Sequence, residues 1–254
     1  MKTIFITGAS SGIGMALARE FSHEDVALGL IARRKDLLDS LASELAAKVC
    51  AYTVDVGDFL ALRAAAESFI QTMGVPDVVI ANAGVSSGTL TSEADDQATF
   101  EHIIRTNVLG MVHTYQPFVE AMKKRGSGTL VGISSIAGFR GIPGSGAYSA
   151  SKAAATAYLE SLRVELSSSG VNVLTVCPGY IKTPMTDVNA FYMPFLMDAD
   201  RAARSIKKAI IGKKRFHILP WQMSVVGLFL RLMPRFIYDL LMRRAPRKPR
   251  SLLR

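Results

Sequence analysis

The stretch TIFITGASSGIGMALAREF, residues 3–21, decides the fold. A short run of β-branched and apolar residues, TIFIT at 3–7, ends in a glycine-bearing turn, and a helical pattern starts inside that turn. Gly8, Gly12 and Gly14 stand at the spacing G-x-x-x-G-x-G. A pyrophosphate needs close approach of backbone, which a Cβ blocks, and it gains from the free N–H groups and positive dipole of a helix start. A glycine cluster alone is a weak sign, but here it follows a strand and opens a helix at the head of a β-α-β unit. Gly8, Ser10, Ser11, Gly12, Ile13 and Gly14 are therefore the expected phosphate cradle. The beginning also mimics a signal peptide, with Lys2 before apolar residues, but the run Ile4–Ile6 is too short for one and glycines follow at once.

Outward from this unit, the 254 residues alternate short apolar runs with longer helical stretches. Strands are expected at 3–7, 26–32, 48–54, 77–81, 128–134, 171–177 and 215–219. Most are almost continuously apolar, as in a parallel sheet covered on both faces. Helices are expected near 12–23, 35–47, 58–73, 97–124, 146–168 and 199–211, with stripes such as Leu37, Leu38, Leu41 and Leu45. Repeated right-handed crossovers give an α/β fold: a Rossmann-type, doubly wound parallel sheet with helices on both faces. The chain reads as one domain over 1–254, with a core at 1–215 and an apolar, basic helical extension at 216–254. The tail from Pro246 reads as disordered.

Charge is unevenly placed. Residues 201–254 carry fifteen Lys and Arg against one acid, Asp239, a local +14, which leaves −5 on residues 1–200 and +9 overall. A uniform nucleic-acid-binding surface is therefore not expected. Cys50 and Cys177 lie in apolar, strand-like runs and read as buried reduced thiols. With no Asn-x-Ser/Thr sequon, cytoplasmic residence is the simplest inference. The four histidines are scattered and show no metal-ligand spacing, so no metal is expected.

The second strand ends in IARR. A site for NAD usually places an acid near here, to bind a ribose 2′-OH. This chain has Arg33 and Arg34 instead and no acid until Asp36, so Arg33 is expected to pair with a 2′-phosphate and NADP(H) to be the cofactor. The other reading of the pair is a solvated basic helix start. Tyr148 and Lys152 sit at i and i+4 on a predicted helix, on one face. An unperturbed tyrosine titrates near ~10, too high for acid–base work near neutrality. A cation about 4 Å away supplies energy of the order needed to lower it.

Taken together, TGASSGIG, Asp55-Val56, Asn82-Ala83-Gly84, Asn107, Ser135, Tyr148-x-x-x-Lys152 and Pro178-Gly179 occur in the order and approximate spacing of the classical short-chain dehydrogenases/reductases, over residues 1 to about 215. The resemblance implies that Tyr148 is the general acid/base. It implies that Lys152 lowers the tyrosine's pKa and holds the nicotinamide ribose, and that Ser135 binds the substrate oxygen, with Ser134 the weaker candidate. It makes Asn107 the helix-kinking asparagine that holds a water of the proton relay. Asp55 and Val56 become the adenine-binding pair, Asn82, Ala83 and Gly84 the turn beside the cofactor, and Pro178, Gly179, Ile181 and Thr183 the nicotinamide-contacting segment. Ala81 stands where many relatives carry another Asn. A substrate lid is implied at 184–198, where Met185, Met193, Met197, Phe191, Tyr192 and Phe195 suit an adaptable apolar pocket.

The expected activity is hydride transfer to or from the carbonyl or alcohol of an apolar small molecule, in a homodimer or homotetramer. Two alternatives stand beside it: a 3-ketoacyl reductase of acyl-carrier thioesters, and a non-catalytic dinucleotide sensor. Residues 216–243 leave two readings open. One is an interfacial amphipathic segment with a polybasic flank, giving peripheral membrane contact. The other is a pair of helices capping the pocket or a subunit interface.

Overall fold

The computed structural model describes residues 2–250. In chain order the elements are β1 (Lys2–Thr7), α1 (Gly12–Ser22), β2 (Val26–Ala32), α2 (Lys35–Glu44), β3 (Lys48–Thr53), α3 (Phe59–Met73), β4 (Val78–Ala81), α4 (Asp96–Ile104), a π-helical turn (Arg105–Leu109), α5 (Gly110–Arg125), β5 (Gly128–Ile133) and α6 (Gly146–Glu165). They continue with β6 (Val171–Pro178), β7 (Ile181–Lys182), α7 (Pro184–Asp187), β8 (Met197–Asp198), α8 (Ala199–Ile211), β9 (Phe216–Leu219), α9 (Gln222–Leu232) and α10 (Arg235–Met242). The main sheet has seven parallel strands in the order β3-β2-β1-β4-β5-β6-β9. All seven expected strands are present, each end within one residue of its expected place.

Strands such as β2, buried at every position of VALGLIA, carry apolar side chains to both faces. One face packs Ile4, Ile6, Leu28 and Leu30 against Leu17 and Phe21 of α1 and Ile206 of α8. The other packs Phe5 and Val79 against Phe69 of α3, Phe118 of α5 and Leu159 of α6. Strand order reverses between β1 and β4, so a crevice opens there at the carboxyl ends of the strands, where such sheets bind ligands.

Some expectations are corrected. α6 stops at Glu165 because Ser167 and Ser169 turn their hydroxyls onto the carbonyls of Val164 and Leu166, competing with the helix. The stretch expected as one helix over 97–124 contains the π turn. Cys177 is buried, but Cys50 is only half-buried, because β3 is the sheet's edge strand.

The tail is not disordered as far as Arg250. Gly88 donates to the Pro249 carbonyl at 3.0 Å, Lys248 Nζ donates to Ser86 Oγ at 3.0 Å and to the Met185 carbonyl at 3.1 Å, and Arg250 pairs with the buried Asp96 at 2.9 Å. Its last residues, from 251 on, lie outside the described residues. α9 and α10, parted at Pro234, do cover the body, but only with one side: Met223, Gly227 and Tyr238 face inward. Trp221, Phe229 and Leu232, which a cap would bury, are 72%, 63% and 74% exposed. Among the described residues no helix is long and apolar enough to cross a membrane.

Candidate active site

A cleft of about 390 Å³ lies at the crevice, within the usual range for small-molecule sites. Its first wall is the turn after β1. Gly8 and Gly12 have φ of 69° and 58°, which favour glycine. The chain's own packing also demands glycine here. A Cβ on Gly8 would lie 2.7 Å from Ala83 Cα, and one on Gly14 would lie 2.3 Å from the Gly8 carbonyl oxygen. Gly14 accordingly seats α1 on the turn and does not line the cleft, while Gly8, Ser10, Ser11, Gly12 and Ile13 do. Asn82 ties β4 to this turn, its Nδ2 donating to the carbonyls of Thr7 and Gly8 at 3.0 and 3.1 Å. Thr7, unmarked by the sequence reading, completes the tie: its Oγ1 accepts from the N–H groups of Asn82 and Ala83. α1 begins with no side-chain cap and no acid in its first turn, so its positive end is left for an anion.

At the far end of β2, Arg33 and Arg34 both line the cleft, with Asp55 and Val56. Arg33 Nη1 lies 3.5 Å from Asp55 Oδ2, an exposed ion pair worth little by itself. Arg34 Nη2 donates to Ser10 Oγ at 3.0 Å and to Ser11 Oγ at 2.8 Å, which holds the second arginine over the glycine turn.

The residues expected to do the acid–base work come from β5 and α6. Ser135 follows β5, and Tyr148 and Lys152 lie on successive turns of α6; all three line the cleft with Ala83, Gly84, Pro178, Gly179, Ile181 and Thr183. Ser134 lines it as well, but its hydroxyl is held by the Lys152 carbonyl and Thr156. Ser135 Oγ accepts from the Ala137 N–H at 3.1 Å, and its own donation to the Pro178 carbonyl is long, at 3.4 Å. That proton is available to another acceptor.

Asn107 does not line the cleft. It is buried in the π turn, a feature frequent at functional sites. Its Nδ2 donates to the Val85 carbonyl at 3.0 Å and to Ser151 Oγ at 2.9 Å, and its Oδ1 accepts from the Val85 N–H at 2.8 Å. Asn107 thus fixes the chain just beyond Gly84.

The electrostatics differ from the expectation in one respect. Lys152 Nζ lies 5.7 Å from the centroid of the Tyr148 ring and donates to the Ile133 carbonyl at 2.8 Å. Burial pushes the Tyr148 phenol above its ordinary value, with the Ser135 hydroxyl pulling the other way. Burial likewise brings the Lys152 ammonium down to about 8. The i, i+4 spacing could not show this, since it carries no information on burial.

Beyond Gly179 the wall continues through Pro184, Met185 and Thr186, the first residues of the segment for which the resemblance implies a substrate lid. The signal for a helix start was present: Thr183 caps α7, Pro184 follows, and Thr183 and Thr186 form a reciprocal capping box.

Comparison with known proteins agrees with this fold. The family model described as short chain dehydrogenase matches residues 2–190. An uncharacterized oxidoreductase of Myxococcus xanthus is 36% identical over 96% of this chain and 97% of its own length. Dehydrogenase/reductase SDR family member 7B of Bos taurus is 33% identical over 98% of this chain and 82% of its own. Among solved structures, an alcohol dehydrogenase from the archaeon Thermococcus sibiricus, complexed with 5-hydroxy-NADP, superposes with a TM-score of 0.76 at 27% identity, covering 86% of this chain and 95% of that one. The chain belongs to the short-chain dehydrogenase/reductase family of oxidoreductases.

Proposed function

We propose that the protein moves a hydride between NADP(H) and a carbonyl or secondary alcohol of an apolar small molecule, with Tyr148 as general acid and base. The observation that carries this reading is convergence. Ser135, Tyr148 and Lys152 line the same cleft as the glycine turn and the two arginines, although they come from opposite halves of the sheet. A purely dinucleotide-sensing protein would have no use for the first three.

The residues present fit a nicotinamide dinucleotide. The uncompensated start of α1 suits its pyrophosphate. Arg33 and Arg34, with no acid at the end of β2, suit a 2′-phosphate. The archaeal relative's complex with 5-hydroxy-NADP supports the same choice. When bound, the nicotinamide supplies the hydride or takes it up.

The protein's part is the proton. For reduction, the Tyr148 phenol, kept protonated by burial, gives its proton to the substrate oxygen. Ser135 turns its hydroxyl from the Pro178 carbonyl to that same oxygen and fixes it beside the phenol. Lys152, an ammonium at neutral pH, stabilises the negative charge left on the tyrosine. Met185, Val85 and Pro184, which line the cleft, favour an apolar molecule.

The test is a panel of apolar ketones and alcohols with NADPH or NADP, read by absorbance of the reduced nicotinamide. Tyr148→Phe, which removes only the phenolic oxygen, is expected to abolish turnover and keep both folding and dinucleotide binding. Retention of most of the rate by that variant would reject the proton-donor role.

A further inference from the structure

We propose that the outer face of α9 and α10 docks the protein onto an anionic lipid bilayer. Along α9, Trp221, Val225, Leu228, Phe229 and Leu232 recur at helical spacing and are all exposed, opposite the inward Met223 and Gly227. On α10, Phe236, Ile237, Leu240 and Leu241 do the same, opposite Tyr238. These nine large apolar side chains are 37% to 75% exposed on two consecutive helices, where a helix on a protein's surface normally turns charge outward.

The face is held firmly. At its start, Met223 packs against Gly179 on the cleft wall. Tyr238 donates to the Gly141 carbonyl at 2.6 Å, and Arg140 stacks over its ring at 4.6 Å. Beyond α10, Arg247 lies on Gly144 and Arg250 is paired with Asp96. The apolar face is therefore a built platform beside the substrate end of the cleft.

Charge selects the partner. Arg231, Arg235, Arg243 and Arg244 are exposed on these helices and just past them, and Asp239 is the segment's one acid. Arg235, Arg243 and Arg244 have no carboxylate partner among the described residues. A second copy on this face would bring four more arginines to it and only one more acid, Asp239, at a cost in like-charge repulsion. A bilayer of anionic lipid satisfies both features at once, taking the apolar side chains below its headgroups and pairing the arginines with them.

Trp221 is the chain's single tryptophan and lies on the face, so the unaltered full-length protein reports on docking. Vesicles of phosphatidylcholine with phosphatidylserine are expected to shift its emission to the blue. Brominated acyl chains should quench it, and the protein should sediment with the vesicles. Vesicles of phosphatidylcholine alone should do so far less, and added salt should release the protein. Replacing Arg235, Arg243 and Arg244 by Gln is expected to lower partitioning about fivefold per arginine. Phe229→Ser with Leu240→Ser should abolish the quenching and leave turnover unchanged. Unaltered emission and no sedimentation with anionic vesicles at low salt would overturn the proposal. So would an emission shift that follows protein concentration without lipid, which is the signature of a second copy on this face.

Discussion

Lys152 lies one helical turn beyond Tyr148, yet its Nζ donates to the Ile133 carbonyl at 2.8 Å and not to the phenol. The lysine is anchored to the end of β5, so its charge is fixed in a buried place whether or not the tyrosine is ionised. A charge held there is costly. Keeping the ammonium at about 8 instead of 10.5 corresponds to roughly 3 kcal/mol.

Lys152→Met is therefore expected to inactivate the enzyme while stabilising the fold. Losing the hydrogen bond to Ile133 takes back ~1 kcal/mol, leaving a net gain of about 2 kcal/mol at neutral pH. The sign follows from linkage. The folded pKa lies below the unfolded one, so the burial cost is complete below about 8 and is relieved as pH rises from about 8 toward 10.5. Urea titrations of both proteins across that window should show the variant's advantage shrinking. A variant less stable than the parent at neutral pH would show that the ammonium is a net support.

The same two groups set the pH dependence of catalysis. Tyr148, raised by burial, stays protonated at neutral pH, as the proposed donation to a carbonyl oxygen requires. Its supporting cation is lost as pH climbs through about 8. Reduction, measured as kcat/KM, should be level below that value and fall above it. A profile that stays flat well past it would mean that the charge on Lys152 is not needed.

The proposed preference for NADP(H) divides between two arginines. Arg34 is steadied by Ser10 and Ser11, whereas Arg33 shares its charge with Asp55. Both are expected to favour the 2′-phosphate. Replacing either by Ala should weaken NADPH binding about tenfold, the worth of a charge-assisted bond of ~1.5 kcal/mol, and leave NADH binding nearly unchanged. Arg33→Asp should go further and reverse the preference. Fluorescence titration with each dinucleotide reads this directly, and equal weakening of both would point to loss of the turn's structure instead.

How much of this was legible in the sequence follows from what each feature needs. β2 and β6 are buried on both faces, so their continuous apolar runs revealed them, and the glycine turn revealed the first unit because its residues are contiguous. Asn107 was legible as a residue but not as part of a π turn, since one extra residue in a helical turn barely disturbs the apolar pattern. The tail misled for another reason. Its composition reads as solvated, and its partners Ser86 and Asp96 lie 162 and 154 residues earlier. Only Gly88 and Gly144 hint at it, as places where Lys248, Pro249 and Arg247 come too close for a Cβ.

The tail braces residues beside the cleft, and removing it gives the last prediction. Lys248 bridges Ser86, two residues past the cleft-lining Gly84, to the carbonyl of Met185, which also lines the cleft. Its neighbours Pro249 and Arg250 hold Gly88 and Asp96, next to the segment that pairs Thr89 with Ser145 just ahead of Tyr148. A chain ending at Pro246 keeps α9, α10 and every cofactor-side contact but loses this bridge. With Met185 less firmly placed, KM for the carbonyl substrate should rise about tenfold, as loss of ~1.4 kcal/mol of binding implies. Dinucleotide affinity should be unchanged, because no tail residue lines the glycine turn or the arginine end. Steady-state kinetics with a dinucleotide titration separate the two effects. An unaltered KM would show that α7 is held by its own capping box and that the tail only covers it.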